Sequence, residues 1–367
     1  MKRILAHLFI LLALASGIAA CAAAPQGGAA APQVPGEVQP AKEIVLFNWT
    51  DYMNPDLLAQ FEQETGIRVV EDYFSSNEEL IAKLKGGASG YALIVPSEYA
   101  VPILIQSGLI SPLNHANLPN LSNLSARFQD NELDPGNAHC IPYQWGISGI
   151  LYLSDQIETP TSWQTIFAAQ PGDPQYGRMT MLDDPRESFA AALFALGYDP
   201  NTTNESELQQ AKALLIQARR GLSGYDSDTF EDLVASGENL VSHGWNGEAL
   251  IAQQEQNEAL QFAIPQEGSI IWMDELCIPS TASPEQKLAA EMFINFILRP
   301  DVGAALSEYI GYATPNAAAE ATLPEEIRTN PMIYPPESER ARLQFLKPLG
   351  EFDAVYIRLW DEVKTAP

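Results

Sequence analysis

The sequence predicts an α/β fold, and two observations support that prediction. From Glu43 onward, short apolar stretches of strand length alternate with amphipathic stretches of helical length. This alternation is typical of a parallel sheet that is covered by helices. The composition is also that of a globular protein, because 46% of the 367 residues are hydrophobic and 18% are charged. A chain of this length can bury one large core or two ordinary ones.

The first elements are bounded by residues that begin and end helices. Strands are predicted at residues 44–49, 67–70 and 91–95. Asn54 and Pro55 begin the helix after the first strand, and Gly66 ends it. Ser76 begins the next helix, which stops at residues 86–87.

Aromatic and hydroxyl side chains follow the first and third predicted strands, in residues 48–52 and 96–99. Ligands of parallel α/β sheets collect outside the carboxyl ends of the strands. The commoner explanation for a single tryptophan such as Trp49 is burial at a strand end. Because two such loops share this composition, we interpret them as candidate ligand contacts.

The middle of the chain contains a long apolar run and a cluster of carboxylates. Residues 140–152 are apolar and interrupted by glycine, and we expect them to cross from one part of the fold to another. Asp184 and Glu187 directly follow a strand predicted at 179–182. Carboxylates at the start of a helix usually interact with its dipole. These two, however, are three residues apart and share one helix face.

Residues 269–279 place Trp272 and Asp274 two positions apart in an apolar run of strand length. Side chains at positions i and i+2 of a strand point to the same face. A carboxylate in such a run is costly unless it is paired, so Asp274 is a candidate ligand contact. A hydrogen-bonded turn at the strand end is the alternative. A helix is predicted at residues 284–298, followed by a short helix that ends at residue 310, and residues 337–364 are predicted to be largely helical.

The charge balance restricts the partners of the protein. Its 47 acidic residues outnumber 20 basic ones, which gives a formal net charge of −27. This charge argues against nucleic acid or an anionic membrane surface as the main partner. Cationic ligands stay compatible with it, although acidity also keeps an exported protein soluble.

The N-terminal 42 residues predict export and a membrane anchor. Residues 1–20 have a basic start, an apolar middle and small residues at the end, as a secretory signal peptide does. Residues 18–21, Ile-Ala-Ala-Cys, resemble the bacterial lipoprotein signal, in which the cysteine, here Cys21, is lipidated and becomes the N-terminus. Residues 21–42 have the composition of a flexible linker. We therefore expect a lipid-anchored protein on the extracytoplasmic face of the bacterial cytoplasmic membrane.

Seven short motifs occur in an order and spacing that resemble the spermidine/putrescine-binding proteins of bacterial ABC transporters. They are NWTDY at 48–52, VPSEY at 95–99, IPYQWG at 141–146, DDPRE at 183–187, WNG at 245–247, WMD at 272–274 and IGYATPN at 310–316. Each motif alone does not identify a family, but seven motifs in this order do indicate one. The resemblance covers residues 43–316 and continues more faintly to the C-terminus.

The resemblance implies a two-lobed α/β fold like that of the type II periplasmic binding proteins, with a ligand cleft between lobes that crossover strands join. The implied ranges are 43–141 for lobe 1, 142–273 for lobe 2, and 274–367 for a return to lobe 1 with a C-terminal helical segment. The residues that it places in the cleft are Trp49, Thr50, Tyr52, Ser97, Tyr99, Asp184, Glu187, Trp245, Trp272, Asp274 and Tyr312. A family glutamine near the C-terminus has no clear counterpart, because Gln344 is nearby but the alignment points to Leu346 or Lys347.

The same resemblance implies a polyamine ligand, and the predicted residues suit one. A linear polyamine alternates ammonium groups with methylenes, so carboxylates can accept its hydrogen bonds and aromatic rings can flank its chain. The family also implies delivery to a membrane permease and its ATPase, and we expect a monomer without metal or cofactor. Cys140 and Cys277 would lie on the crossover segments, where a disulfide and two buried thiols are both compatible with the sequence.

Two other classes of protein stay open at this point. An exported carbohydrate-active hydrolase could use Asp184 with Glu187 or Asp274 as an acid and base pair, although we expect no enzyme. A metal-binding lipoprotein rich in tyrosine is the other alternative. The histidines lack the spacing of metal ligands, since they stand at His7, His115, His139 and His243.

Overall fold

Parallel strands form both ends of the sheet, and two antiparallel strands join those ends. The computed structural model describes residues 38–129 and 132–366, and in this part of the chain ten strands form one sheet. The predicted signal peptide, Cys21 and most of the predicted linker lie outside the described residues.

The elements follow the alternating order that the sequence predicts. The strands are β1 (Glu43–Asn48), β2 (Arg68–Tyr73), β3 (Tyr91–Ile94), β4 (Cys140–Leu153), β5 (Met179–Met181), β6 (Gly224–Tyr225), β7 (Val241–Trp245), β8 (Leu260–Ala263), β9 (Ser269–Cys277) and β10 (Leu343–Gln344). The longer helices are α1 (Pro55–Thr65), α2 (Asn77–Lys85), α3 (Val101–Gln106), α4 (Gln164–Phe167), α5 (Pro185–Leu196), α6 (Glu205–Ala218), α7 (Phe230–Ala235), α8 (Asn246–Glu255), α9 (Pro284–Ile297) and α10 (Pro300–Ile310). The C-terminal helices are α11 (Ala317–Glu320), α12 (Glu325–Arg328), α13 (Glu337–Arg340) and α14 (Phe352–Thr365).

The sheet has two halves that are joined in the middle. In the first half β1 lies between β2 and β3, and all three are parallel. In the second half β5 lies between β6 and β7, again in parallel. The long strand β4 pairs with β9 over Cys140 to Ile147 and with β7 and β8 over Ser148 to Leu153. Strands β4 and β9 therefore cross from one half to the other.

The α/β prediction is confirmed, and the first three strands are parallel as the sequence predicts. The crossing strands β4 and β9 are antiparallel to each other. The chain enters the second half along one of them and leaves along the other. Residues 337–364, which are predicted to be largely helical, contain α13 and α14. Between them β10 pairs with β9, and Pro348 and Gly350, which has φ +62°, favour a turn.

The helix-capping residues act as the sequence predicts. Asn54 Oδ1 accepts a hydrogen bond from the backbone N–H of Asp56 at 2.9 Å, and Gly66 has φ +72° at the end of α1. Ser76 Oγ accepts from the N–H of Glu79 at 3.2 Å. Asn54 and Ser76 therefore fix where α1 and α2 begin, and Gly66 fixes where α1 ends.

After β9 the chain returns to the first half, where α9 packs against β1 and β3. The C-terminal helix α14 packs instead against α5 and α6 of the second half. The Trp360 indole Nε1 donates to Asp183 Oδ1 at 3.1 Å, which ties α14 to the start of α5. In the described ranges, no helix is both long enough and apolar enough to span a bilayer.

A disulfide joins the two crossing strands. Cys140 on β4 and Cys277 on β9 face each other in the ladder, and their Sγ atoms are bonded. The two cysteines are 137 positions apart in the sequence. A cross-link that closes so long a loop restricts the unfolded chain strongly.

Replacing both cysteines by alanine is expected to lower the free energy of unfolding by about 2–5 kcal/mol. Urea unfolding of the variant and of the oxidised natural chain measures this difference. The natural chain in excess reducing agent serves as the control, and it should unfold at the same urea concentration as the variant. Equal midpoints for the variant and the oxidised chain would contradict the prediction.

Candidate ligand-binding site

A narrow cavity of about 40 Å³ lies where the two halves of the sheet meet. The structure places all eleven predicted contact residues around it: Trp49, Thr50, Tyr52, Ser97, Tyr99, Asp184, Glu187, Trp245, Trp272, Asp274 and Tyr312. They come from strand ends of both halves, from the crossing strand β9 and, in the case of Tyr312, from the segment after α10. The cavity thus lies at the carboxyl ends of the parallel strands, where ligands of such sheets collect.

Trp49, just past the end of β1, is both a packing residue and a cavity residue. Its indole Nε1 donates to the backbone carbonyl of Val95 at 2.8 Å. Its ring lies 4.4 Å from the Phe74 ring and 6.0 Å from the Trp245 ring of the second half. Burial at a strand end and a place in the cavity are therefore compatible roles for this tryptophan.

Asp274 is held in place by a chain of hydrogen bonds from the first half. Ser97 Oγ donates to Asp274 Oδ1 at 2.6 Å, and Asn77 Nδ2 donates to Ser97 Oγ at 3.0 Å. Only 5% of Asp274 is exposed. Burial raises the pKa of Asp274 to about 7, although the Ser97 hydrogen bond opposes the rise. A buried carboxyl of this kind is well placed to receive a cation.

Trp272 stands beside Asp274 on the same face of β9, as the period of a strand predicts. Its ring packs at 4.9 Å against Tyr312 and at 6.3 Å against Tyr52. Gly146 on the neighbouring strand leaves room for the indole, because a Cβ there would lie 2.5 Å from the Trp272 ring. Three aromatic rings from three parts of the chain thus form one wall.

Gly247 has a similar role under Tyr312. A Cβ at Gly247 would lie 2.4 to 2.6 Å from three carbons of the Tyr312 ring. The Tyr312 hydroxyl donates to the carboxylate of Glu248. Tyr312 keeps this position because the residue beneath it has no side chain.

Gly247→Ala is expected to displace Tyr312 and to lower the free energy of unfolding by about 1–3 kcal/mol, the usual cost of overpacking. Urea unfolding measures this change. Gly224→Ala is a matched control, since a Cβ at Gly224 would meet nothing within 4 Å. Equal stability of the two variants would contradict the placement of Tyr312.

Asp184 and Glu187 stand at the start of α5, where they serve the helix and also face the cavity. Asp184 Oδ1 caps the helix by accepting from the N–H groups of Arg186 at 2.8 Å and Glu187 at 2.9 Å. Both carboxylates also line the cavity. Burial, and then the charges of Glu78 and Glu187, raise the pKa of Asp184 well above its usual range. Behind them, His243 Nε2 lies 3.7 Å from Glu187 Oε2.

Three further carboxyl side chains line the cavity, namely Glu98, Asp228 and Glu248. The sequence-based prediction did not include them. Glu98 lies inside the VPSEY motif and Glu248 directly follows the WNG motif, so both positions could have been flagged. Burial raises the pKa of Glu248 well above its usual range, and the charge of Glu231 adds to the rise. Asp228 lies in a polar loop, where sequence patterns distinguish no single acid.

Other residues that the sequence did not indicate extend the lining without adding charge: Phe74, Ser75, Asn77 and Ser227. The sequence left open which residue near the C-terminus takes the place of the family glutamine. In the structure Leu346 lines the cavity. Gln344 lies exposed on β10 and is not among the lining residues. An apolar side chain therefore occupies the place for which the resemblance implied an amide.

The two halves touch at the edge of the cavity. Asp228 of the second half accepts hydrogen bonds from Thr50 Oγ1 at 3.0 Å and from Ser75 Oγ at 3.4 Å, both in the first half. The contact is exposed to solvent. It joins the halves by polar groups that can separate at little cost.

The lining as a whole is acidic and aromatic. It includes six carboxyl side chains and seven aromatic rings. Among the described residues that border the cavity there is no lysine and no arginine. Such a lining suits a ligand that is cationic and slender, because ammonium groups hydrogen-bond to carboxylates and lie against aromatic faces.

A curled α/β sheet in two halves, crossed by two strands and enclosing a cavity where the halves meet, is the architecture of periplasmic solute-binding proteins. The chain belongs to the bacterial extracellular solute-binding proteins, whose family model matches residues 56–334.

Individual relatives agree with this assignment. The chain is 36% identical over 325 residues to the spermidine/putrescine-binding periplasmic protein of Salmonella typhimurium, covering 88% of this chain and 91% of the relative. The TpPotD lipoprotein of Treponema pallidum has a similar structure, with a TM-score of 0.74, 32% identity and coverage of 88% and 99%. So does the substrate-binding protein of a spermidine/putrescine ABC transporter from Streptococcus pneumoniae, with a TM-score of 0.71, 29% identity and coverage of 88% and 99%.

Proposed function

We propose that this protein captures a linear polyamine, spermidine or putrescine, in the cavity and delivers it to the permease and ATPase of an ABC importer. The observation that carries this proposal is the lining of six carboxyl groups and seven aromatic rings without lysine or arginine among its described residues. The names of the relatives from Salmonella typhimurium and Streptococcus pneumoniae support it. They do not support the hydrolase alternative.

In this proposal the carboxylates bind the nitrogens and the rings enclose the methylenes. A hydrogen bond from an ammonium group to Asp274 or Glu187 contributes about 1.5–3 kcal/mol. A cation over Trp272 or Trp245 adds about 0.5–2 kcal/mol, and each buried methylene adds about 0.8 kcal/mol. The cost of association and closure offsets much of this sum. A micromolar dissociation constant requires only about −8 kcal/mol.

The proposed capture includes closure of the two halves. Carboxylates that share an empty cavity repel one another, so the ligand-free protein favours separated halves. A bound cation neutralises them and allows Asp228 to meet Thr50 and Ser75. We retain lobe boundaries at 43–141 and 142–273, with the return at 274–367, and place α14 on the second lobe because it packs on α5 and α6.

The proposal also includes the location of the protein. Residues 1–20 act as the signal peptide, Cys21 carries the lipid and residues 22–42 connect it to the folded part. The Treponema pallidum relative is itself described as a lipoprotein, which supports the anchor. The protein works as a monomer, since a permease meets one loaded cavity at a time.

Isothermal titration calorimetry on the mature chain tests the ligand. Putrescine and spermidine are titrated separately, with maltose as a neutral sugar of the kind that a carbohydrate-active protein would bind. We expect one-to-one binding of at least one polyamine near micromolar affinity and no heat with maltose. Binding of maltose without binding of either polyamine would overturn the proposal.

A further inference from the structure

A second cavity lies on the opposite face of the two crossing strands. Side chains alternate along a strand, so Ile271 and Met273 point away from the face that carries Trp272 and Asp274. Together with Trp145 of β4 they form the floor of an apolar groove of about 710 Å³, which we call the reverse-face groove. Phe128 and Phe345 stand on its two sides. Its volume is in the range of small-molecule sites.

A buried donor of this groove lacks a partner among the described residues. Trp145 is 2% exposed, and its indole Nε1 donates to no acceptor there. An unsatisfied buried donor costs about 1–3 kcal/mol, which an acceptor atom of a ligand would remove.

Two acids also border the groove, the buried Glu98 and the exposed Glu132. Glu98 Oε2 accepts from the N–H of Met273 at 2.8 Å. Burial raises the pKa of Glu98 well above its usual range, which favours its neutral form and lowers its repulsion of an anion.

A cation without an ion pair lies at the edge of the groove. The Arg127 guanidinium lies 4.9 Å from the Trp145 ring and 4.4 Å from the Phe128 ring. In the described ranges it forms no ion pair, although the charge of Glu320 acts on it. By contrast, Arg186 pairs with Asp353, and Arg299 pairs with both Glu64 and Asp301. The Lys347 side chain also borders the groove. Arg127 and Lys347 therefore bring two positive charges to the groove.

We propose that the reverse-face groove binds a small amphipathic anion. The apolar body of the ligand lies on Ile271, Met273 and Phe345, and its carboxylate or sulfonate accepts from the Trp145 N–H and from Arg127. The crossing strands thereby carry two sites of opposite charge preference, a cation cavity on one face and an anion groove on the other. The groove shares Glu98 and Leu346 with the first cavity, but the proposal does not depend on the identity of the ligand in that cavity.

Fluorescence titration with 8-anilinonaphthalene-1-sulfonate tests the groove on the mature chain in saturating spermidine. We expect saturable one-to-one binding that decanoate displaces and 1-decanol displaces at least about tenfold less well, as a charge-assisted hydrogen bond requires. Arg127→Gln should weaken binding of the dye about tenfold. Ile271→Glu, which places a like charge on the floor, should abolish it. Arg358→Gln on α14 is the matched control and should bind the dye as the natural chain does.

Three outcomes would overturn the proposal. The first is the absence of saturable binding by the natural chain. The second is binding that Arg127→Gln and Ile271→Glu leave unchanged while both variants keep the thermal unfolding midpoint of the natural chain. The third is a dimer in light scattering that Ile271→Glu converts to a monomer, because the groove would then hold a second copy of the chain.

Discussion

Asp274→Asn is expected to weaken polyamine binding at least about a hundredfold while the fold survives. The asparagine keeps the shape of the side chain, and Ser97 Oγ can still donate to its oxygen as it does to Asp274 at 2.6 Å. What is lost is the negative charge that faces the ammonium group in a buried site. Removing one partner of a buried charge pair costs about 2–5 kcal/mol. Calorimetry with putrescine and spermidine measures the change.

Stability provides the control for this variant. Burial raises the pKa of Asp274 to about 7, so above that pH the ionised carboxyl destabilises the ligand-free protein. Asparagine removes this penalty, and the thermal unfolding midpoint without ligand should stay equal or rise at pH 8. Asp361→Asn, at an exposed position on α14, should change neither binding nor midpoint. Tight polyamine binding by Asp274→Asn would exclude this residue as the main ammonium contact.

Polyamine affinity is expected to fall steeply as the pH drops below 7. The primary ammonium groups of the ligand stay charged in this range, as lysine does, so the change lies in the protein. Protonated Asp274, with its pKa of about 7, must lose its proton before it can pair with a cation. One such group weakens binding by about tenfold for each pH unit below its pKa. Between pH 7.5 and 5.5 we expect a loss of affinity of at least about 25-fold in calorimetry.

The stability of the ligand-free protein should change in the opposite direction. The folded-state pKa of Asp274 is raised above the ordinary value of 3.8, so the folded state binds the proton more tightly than the unfolded state. Between these two values the stability contributed by this group is lost as the pH rises. Burial also raises the pKa values of Asp184 and Glu248, which adds to the effect. The gain in unfolding midpoint on adding polyamine should therefore grow from pH 5.5 to pH 7.5.

Proton release provides an independent measure of the same coupling. Binding at pH 6.5 should release protons, so the observed heat should differ between buffers of different ionisation enthalpy. Asp274→Asn should release fewer protons than the natural chain in the same buffers. A dissociation constant that is independent of pH between 5.5 and 7.5 would show that the cavity carboxyls are already ionised without ligand.

Much of the fold could be predicted because its signals are local. The caps at Asn54 and Ser76 and the glycine at 66 follow from the chemistry of a few adjacent residues. Residues 337–364 are largely helical as predicted, but the strand β10 between α13 and α14 was not predicted, because the pairing of Leu343 and Gln344 with β9 is a contact between distant parts of the chain. No local pattern specifies that pairing.

The cavity could be predicted for a different reason. Most of its predicted residues lie at strand ends or on β9, Tyr312 follows α10, and each belongs to a short motif whose order resembles a known family. Asp228 belongs to no motif and reaches the cavity only because the two halves approach each other. Glu98 lies inside a motif, but only its neighbours Ser97 and Tyr99 were predicted as ligand contacts.

By itself the sequence determined the α/β class, the strand ends that carry aromatic and acidic residues, and the period that sets Trp272 beside Asp274. These features depend on neighbours in the chain. Tertiary structure alone decided that Cys140 and Cys277 are bonded, that Leu346 rather than Gln344 lines the cavity, and that Asp228 meets Thr50 and Ser75. It also decided what lies on the reverse face of β9. Each of these contacts joins residues far apart in sequence, and packing of the whole chain selects them.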